Sequence, residues 1–408
     1  MFEGCASALP FASIGTPKAN VTERPLIVLS LEGLARSALG CYGSSWNRTP
    51  AIDAIAGTGC VWDRWIATSD DPAAVLRGTI DSAPSVWADA WRARGSVELL
   101  TDVPALVDGL SCPSFDRVDA IEMEQPSAIG RPVSELAESQ LGQLLAAAIE
   151  RASQADPWSL LWLHSGFLTR RWDAPRDLFA IDEPDDDLQQ PDEEVELLAV
   201  ESNRAEELER LPPIFPALIP PQIAIDNQTH PDLVTSWMRT YGCQICLLDL
   251  LIEVLMRSLR SRHDPESSPY VVLLGTSGFR LGQGGWLGHR PENLRSADLH
   301  LPMIVSDHGP LRVAEVTSSD ALPDILRDLG KGPGPLISAD RWSEPKHASQ
   351  VVTKSGRAQY SVTTSRWFFV RDNDSSEHLF LKPDDVEDFN DVGRLRKDIV
   401  QQLSDTKK

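Results

Sequence analysis

The run Pro25-Leu26-Ile27-Val28-Leu29, closed by the polar break Glu32-Gly33, constrains this chain more than any other stretch. Consecutive apolar residues fit a strand covered on both faces, as in a parallel sheet lying under helices. The polar break then falls at the carboxyl end of that strand, the edge where open α/β sheets hold ligands. Two later runs repeat the pattern, Leu160-Leu161-Trp162-Leu163-His164 and Val271-Val272-Leu273-Leu274-Gly275. Segments with helical spacing alternate with them. Ile52, Ile55 and Ala56 follow a Thr49-Pro50 start and precede Gly57 and Gly59. A helix over 85–94 is expected to turn Val86, Ala90 and Trp91 inward, and Gly95 to stop it. Leu136, Leu141, Leu144, Leu145 and Ile149 lie on one side of a helix expected over 134–152, with Ser134 as its N-cap. Tyr241, Ile245, Leu248 and Ile252 mark one stripe of a long helix over 233–261. Buried strands alternating with amphipathic helices specify an α/β fold with a large, mostly parallel sheet sandwiched by helices.

The tail departs from this rhythm. Residues 359–370 (QYSVTTSRWFFV) alternate like a hairpin, His378-Leu379-Phe380-Leu381 adds a strand, and 392–403 reads as a helix. The expected organisation is a tail over 1–23, an α/β domain over 24–343 and a small antiparallel subdomain with one helix over 344–408. Within the large domain, 173–232 carries the acidic runs 182–187 and 192–196 and two Pro-Pro turns. Calcium-loop spacing is absent there, so it reads as a solvated insertion.

Charge narrows the partners. A formal net charge of -22 and a pI near 4.7 repel nucleic acid and anionic membrane surfaces alike. No apolar run approaches the roughly 20 residues of a membrane-spanning helix. The expected partner is therefore an unidentified protein or small-molecule ligand. The first residues carry Glu3 and a short apolar stretch broken by Pro10, unlike a secretory signal, and the six cysteines show no paired framework. Cys243 and Cys246 form a CxxC inside a Leu-rich helical segment, where packing is the better reading than metal or redox use. These features point to a cytoplasmic protein with reduced thiols.

Several short texts together resemble one family. Ala38-Leu39-Gly40-Cys41-Tyr42-Gly43, then Thr49-Pro50-Ala51-Ile52-Asp53-Ala54-Ile55-Ala56, then Trp62-Asp63 running to Ala67-Thr68-Ser69, stand in the order and register of the sulfatases, members of the alkaline phosphatase superfamily. Further on, Ser114-Phe115-Asp116-Arg117-Val118 resembles the family's G-F-D-x-V turn. The helix carrying Tyr241 and Asp249 resembles Y-x-x-x-V-x-Y-x-D-x-x-I, which suggests a structural role for Asp249. Leu281-Gly282-Gln283-Gly284-Gly285-Trp286-Leu287-Gly288-His289 is similar to L-G-x-H-G-L-W-G-K/H. The likeness runs from about residue 24 to 403 and implies an alkaline-phosphatase/sulfatase-like fold.

The catalytic motifs of that family are largely replaced. Its two strand-end aspartates, which bind a divalent metal, correspond to Glu32 and Gly33. Its C/S-x-P-S-R nucleophile loop corresponds to Asp70-Asp71-Pro72-Ala73-Ala74, with no thiol, hydroxyl or arginine. A histidine is kept at His164, but its D-P-H successor is Ser165-Gly166-Phe167-Leu168-Thr169. The S-D-H-G ligands fall on Gly275-Thr276-Ser277-Gly278, and His289 stands where a Lys or His meets the substrate's anionic group. A literal Ser306-Asp307-His308-Gly309 does occur, one strand later than the family register.

Two functional readings follow. Transfer of a sulfuryl or phosphoryl group needs metal and cationic groups about the transferred anion. Glu32, Asp70, Asp71 and His289 offer at most one cation, so the leading reading is a catalytically degenerate protein that acts by binding, without a cofactor. Asp70 and His289 are its vestigial catalytic positions, and His164, Thr276 and Ser277 its candidate binding groups. The alternative is a hydrolase of sulfuric or phosphoric esters with a rebuilt site for one divalent cation, Ca or Mg. Glu32, Asp70 and Asp71 would be the ligands, with Asp307 and His308 a weaker set. Both readings expect Glu32, Asp70, Thr276, Ser277 and His289 to meet at one edge of the sheet.

Overall fold

The computed structural model describes residues 24–81, 86–107, 113–122, 131–179, 211–261, 268–290, 294–332, 350–355 and 359–406. The acidic runs at 182–187 and 192–196, and the expected boundary at 343/344, lie outside the described residues.

Eight strands form the main sheet: β1 Leu26–Leu31, β2 Cys60–Trp62, β3 Ser96–Thr101, β4 Arg117–Ala120, β5 Trp158–Ser165, β6 Tyr270–Gly275, β7 Met303–Val305 and β8 Leu311–Val313. They lie in the order β8-β2-β7-β6-β1-β5-β3-β4. β1 is central and runs parallel to both β5 and β6, with Val28 opposite Trp162 and Val272. Only β7 runs antiparallel to its neighbours, β6 and β2. The expectation of a mostly parallel sheet holds.

The apolar run of β1 is buried on both faces because successive side chains point opposite ways. Leu26 and Val28 enter one core with Trp87, Trp91, Trp162 and Leu326. Ile27, Leu29 and Leu31 enter the other with Ile52, Leu144, Leu163 and Leu248. Helices α1 Pro50–Thr58, α4 Gln140–Ala152 and α5 Pro231–Arg260 cover the second face. α2 Pro72–Ile80, α3 Val86–Arg92 and α6 Leu322–Gly330 cover the first.

Local expectations fail where capping chemistry was misplaced. The α4 N-cap is Ser139, whose hydroxyl accepts from the Gly142 N–H at 3.0 Å, and Leu136–Glu138 forms a separate 3-10 turn instead of continuing from Ser134. In α3 the buried residues are Trp87, Ala88 and Trp91, while Val86 is exposed, because the two indoles claim the core. The stretch after α1 breaks at Asp63-Arg64 into β2 and a short strand piece, Trp65–Ile66.

The tail forms an antiparallel sheet, β9 Gln350–Lys354, β10 Tyr360–Thr364, β11 Trp367–Arg371 and β12 Glu377–Leu381, with helix α7 Lys397–Asp405 against it. The helix begins later than expected. Phe368, Val370 and Phe380 belong to the main core, and both guanidinium ends of Arg64 donate to the Thr364 and Ser365 carbonyls. The small sheet is thus cemented to the large one.

The segment expected as a solvated insertion is partly core. Asp173 and Ala174 are buried, and Arg176 ties the carbonyls of Ala174, Phe215 and Ala217 to that of Trp172 just before the segment. A guanidinium with five donors can close such a loop base where no regular ladder exists.

Candidate functional site

The carboxyl ends of β1, β5 and β6 bring Glu32, His164, Thr276 and Ser277 together. Ser30, Glu32 and His164 share the face of Trp162, because residues two apart on a strand point the same way. The Trp162 indole N–H donates to Ser30 Oγ at 2.8 Å, and Ser30 Oγ lies 2.9 Å from His164 Nδ1. His164 Nε2 faces Glu32 Oε1 at 3.5 Å, beyond a strong hydrogen bond. The Thr169 hydroxyl lies 2.9 Å from Glu32 Oε2, and Arg170 Nε lies 3.7 Å from the same oxygen. Burial pushes the Glu32 carboxyl up, but His164, Arg170 and Thr169 outweigh it and hold it below the ordinary carboxylate value.

Thr169 and Arg170 were missed from the sequence. They replace the family's second-histidine loop with one short helical turn, Phe167–Arg170, after β5. A cation one turn beyond a strand-end histidine was the available signal. It corrects the reckoning that the site offers at most one cation.

Position 33 is rebuilt in its backbone. Gly33 has φ +77, and a Cβ there would lie 2.6 Å from Thr169 Cγ2. Its N–H donates to Ser277 Oγ at 2.8 Å, and its carbonyl accepts from the Tyr241 hydroxyl at 2.8 Å. The same Tyr241 oxygen accepts from the Ala35 N–H at 2.9 Å. Thr276 Oγ1 donates to the Leu31 carbonyl at 3.2 Å. Both hydroxyls are therefore turned onto the end of β1. Asp249 does take the structural role expected of it, accepting from the Ala51 and Ile52 N–H groups at the start of α1.

The remaining candidates lie farther along the same edge or away from it. His289 is half-buried, with Nδ1 3.3 Å from the Gly278 carbonyl. The Gly278 N–H donates to the carbonyl of Asp298, which is buried against Arg280, and Leu299 next to it receives the Ala67 N–H. Asp70 follows Ala67 across this layer, in a loop whose Ser69 bridges to Lys354 of β9. Asp71 is exposed and caps α2, accepting from the Ala73 N–H at 3.0 Å. Asp307 and His308 sit at the opposite, amino end of β1 and β6. There Asp307 pairs with Arg24 at 2.6 Å, and His308 Nδ1 lies 2.7 Å from the Ser306 carbonyl, its ring against Tyr270. The antiparallel course of β7 carries that motif away from the Glu32 edge.

A divalent metal of the kind the resemblance implies wants several oxygen ligands in one place. Among the described residues no three His, Cys, Asp or Glu side chains come together in a group that could hold a metal ion. Glu32 is held by a histidine and an arginine, Gly33 has no side chain, and the Ser277 and Thr276 hydroxyls face backbone. This donor set does not fit the metal. Cys243 and Cys246 do not fit one either, with Sγ directed to the Arg239 carbonyl and to Asn47 Oδ1 respectively.

No family model matches the sequence, and no curated protein matches it. Solved structures do. A protein in complex with its substrate, D-glucosamine-2-N,6-O-disulfate, has a TM-score of 0.64 at 13% identity, covering 94% of this chain and 97% of its own. A putative sulfatase from Bacteroides thetaiotaomicron has a TM-score of 0.62 at 12% identity, covering 93% and 90%. The phosphonate monoester hydrolase of Agrobacterium radiobacter has a TM-score of 0.63 at 14% identity, covering 94% of each chain. Over nearly its whole length, this chain shares the fold of a putative sulfatase and of a phosphonate monoester hydrolase.

Proposed function

We propose that this protein acts by binding, as a sulfatase-fold chain that has given up ester hydrolysis. The observation that carries the reading is the occupation of Glu32 by His164, Thr169 and Arg170 beside a glycine that cannot accept a side chain. A carboxylate already engaged by the Thr169 hydroxyl and by Arg170, beside His164, is poorly placed to ligate a metal as well. Without a metal, Arg170 is engaged by Glu32 and offers little to hold an anionic ester at this edge. We take the protein to be cytoplasmic, a reading supported by the free thiols of Cys41, Cys60, Cys243 and Cys246.

The test is turnover of aryl sulfates and phosphonate monoesters, measured with the metal content of protein purified without chelator. The expected result is no hydrolysis above background and no stoichiometric divalent ion. A stoichiometric ion, with turnover abolished by Asp70→Ala, overturns the reading in favour of a rebuilt hydrolase.

A further inference from the structure

A second group of polar atoms lies beside, and apart from, the Glu32 cluster. A cleft of about 210 Å³ opens between the turn after β1 and the segment that follows β12, with Arg36, Tyr42, Phe279, His300 and Val386 in its wall. Glu32, His164 and Arg170 are not part of it. Two nitrogens in this wall, Arg36 Nε and His300 Nε2, are enclosed and have no hydrogen-bond partner among the described residues. His300 is only 8% exposed. Leaving enclosed polar groups bare costs about 1–3 kcal/mol each, more for a charged group, so Arg36 and, as its Nε2–H tautomer, His300 together call for an acceptor.

The neighbouring charges show what that acceptor is. Arg312 is paired with Asp63, and Lys382 with Asp388 at 2.6 Å. Arg64 is spent on the Thr364 and Ser365 carbonyls, and Glu387 accepts from the Gln283 amide at 3.2 Å. Arg36 alone of these cations has no hydrogen bond or ion pair among the described residues; its guanidinium lies over the Tyr42 ring, 5.0 Å from the centroid. Burial and then the positive charges of Lys382, Arg36 and Arg64 hold His300 well below its ordinary value. A neutral imidazole and one guanidinium match a single negative charge. A dianion would leave a charge uncompensated near Glu387.

We infer that this cleft binds a small ring-bearing monocarboxylate, its carboxylate on Arg36 and His300 and its ring against Phe279 and Val386. A guanidinium edge pairs two-fold with a planar carboxylate, which a point charge cannot do. The space suits the size, since a cavity of about 150 Å³ takes up benzene. This inference rests on the binding reading and names a ligand class for it.

Benzoate is the probe, titrated into the full chain by calorimetry, with benzyl alcohol as the uncharged control of similar size. Saturable benzoate binding is expected, weakened about tenfold or more by Arg36→Gln and by Ser37→Trp, and benzyl alcohol should bind about tenfold more weakly than benzoate. Ser37 is exposed at the mouth of the cleft, so Ser37→Trp tests the site even if Arg36→Gln fails to fold. The inference is overturned if benzoate does not bind at millimolar concentration, if benzyl alcohol binds as well, or if the variants bind as the wild type does. Aryl sulfate turnover in the same samples reports separately on the binding reading. Turnover would refute that reading, whereas absent benzoate binding without turnover refutes only the carboxylate site.

Discussion

At position 33 the absence of a side chain is a matter of backbone conformation. A residue with φ near +77 pays roughly 1–2 kcal/mol for a Cβ, and contact with Thr169 at 2.6 Å adds to it. Gly33→Asp, which supplies the second aspartate that the sulfatase resemblance implies, is therefore expected to lower stability by about 2 kcal/mol or more without creating a metal site. Denaturant titration and metal binding of the variant check both halves. Glu32 carries a second prediction at this scale. Its folded pKa lies below the unfolded one, so its contribution is present above the ordinary value of 4.5 and lost as pH falls through the folded value. Glu32→Gln should flatten the acid limb of stability, read as a smaller loss of Tm between neutral and acid pH. Glycine at 33 was legible in the sequence. Its left-handed conformation was not, because that is set by Ser277 and Tyr241 more than 200 residues away.

Among the elements, α5 does most to fix the edge where Glu32 stands. Tyr241 bridges the Gly33 carbonyl and the Ala35 N–H, and Asp249 caps α1 two turns later. Tyr241→Phe leaves both backbone groups buried and unpaired, a loss of about 1–3 kcal/mol in chemical denaturation. Asp249 titrates the other way from Glu32. Burial raises it from 3.8 to about 6, against the pull of its two N–H partners. The folded state thus holds this proton more tightly than the unfolded chain. The associated stability is complete below pH 3.8 and lost as pH rises through about 6, roughly 3 kcal/mol in all. Asp249→Asn should remove that pH dependence while leaving a side-chain acceptor at the start of α1, as thermal melts between pH 4 and 7 would show. Long periodic elements such as α5 were legible because their apolar stripe repeats over many turns. The ends of α3, α4 and α7 were not, since Ser139 and Ser134 look alike until the backbone shows which one caps.

On the scale of the molecule, the two sheets share one core. Phe368 is fully buried in the cluster that holds Trp62, Trp87 and Trp162. Phe368→Ala is expected to cost about 3–5 kcal/mol and to lower the stability of the whole chain in one transition, with the near-ultraviolet signal of the tryptophans lost together with the far-ultraviolet signal. The order of strands and helices could be read from the sequence, because apolar runs and amphipathic stripes are local. The convergence of Arg170 on Glu32, and of Arg36 and His300 on one cleft, could not, because it depends on how separate strand ends meet. The measurement that tests the central claim most directly is hydrolysis of an aryl sulfate and a phosphonate monoester by metal-analysed protein. The account predicts background rates and no stoichiometric divalent ion. Metal-dependent turnover lost in Asp70→Ala would contradict it.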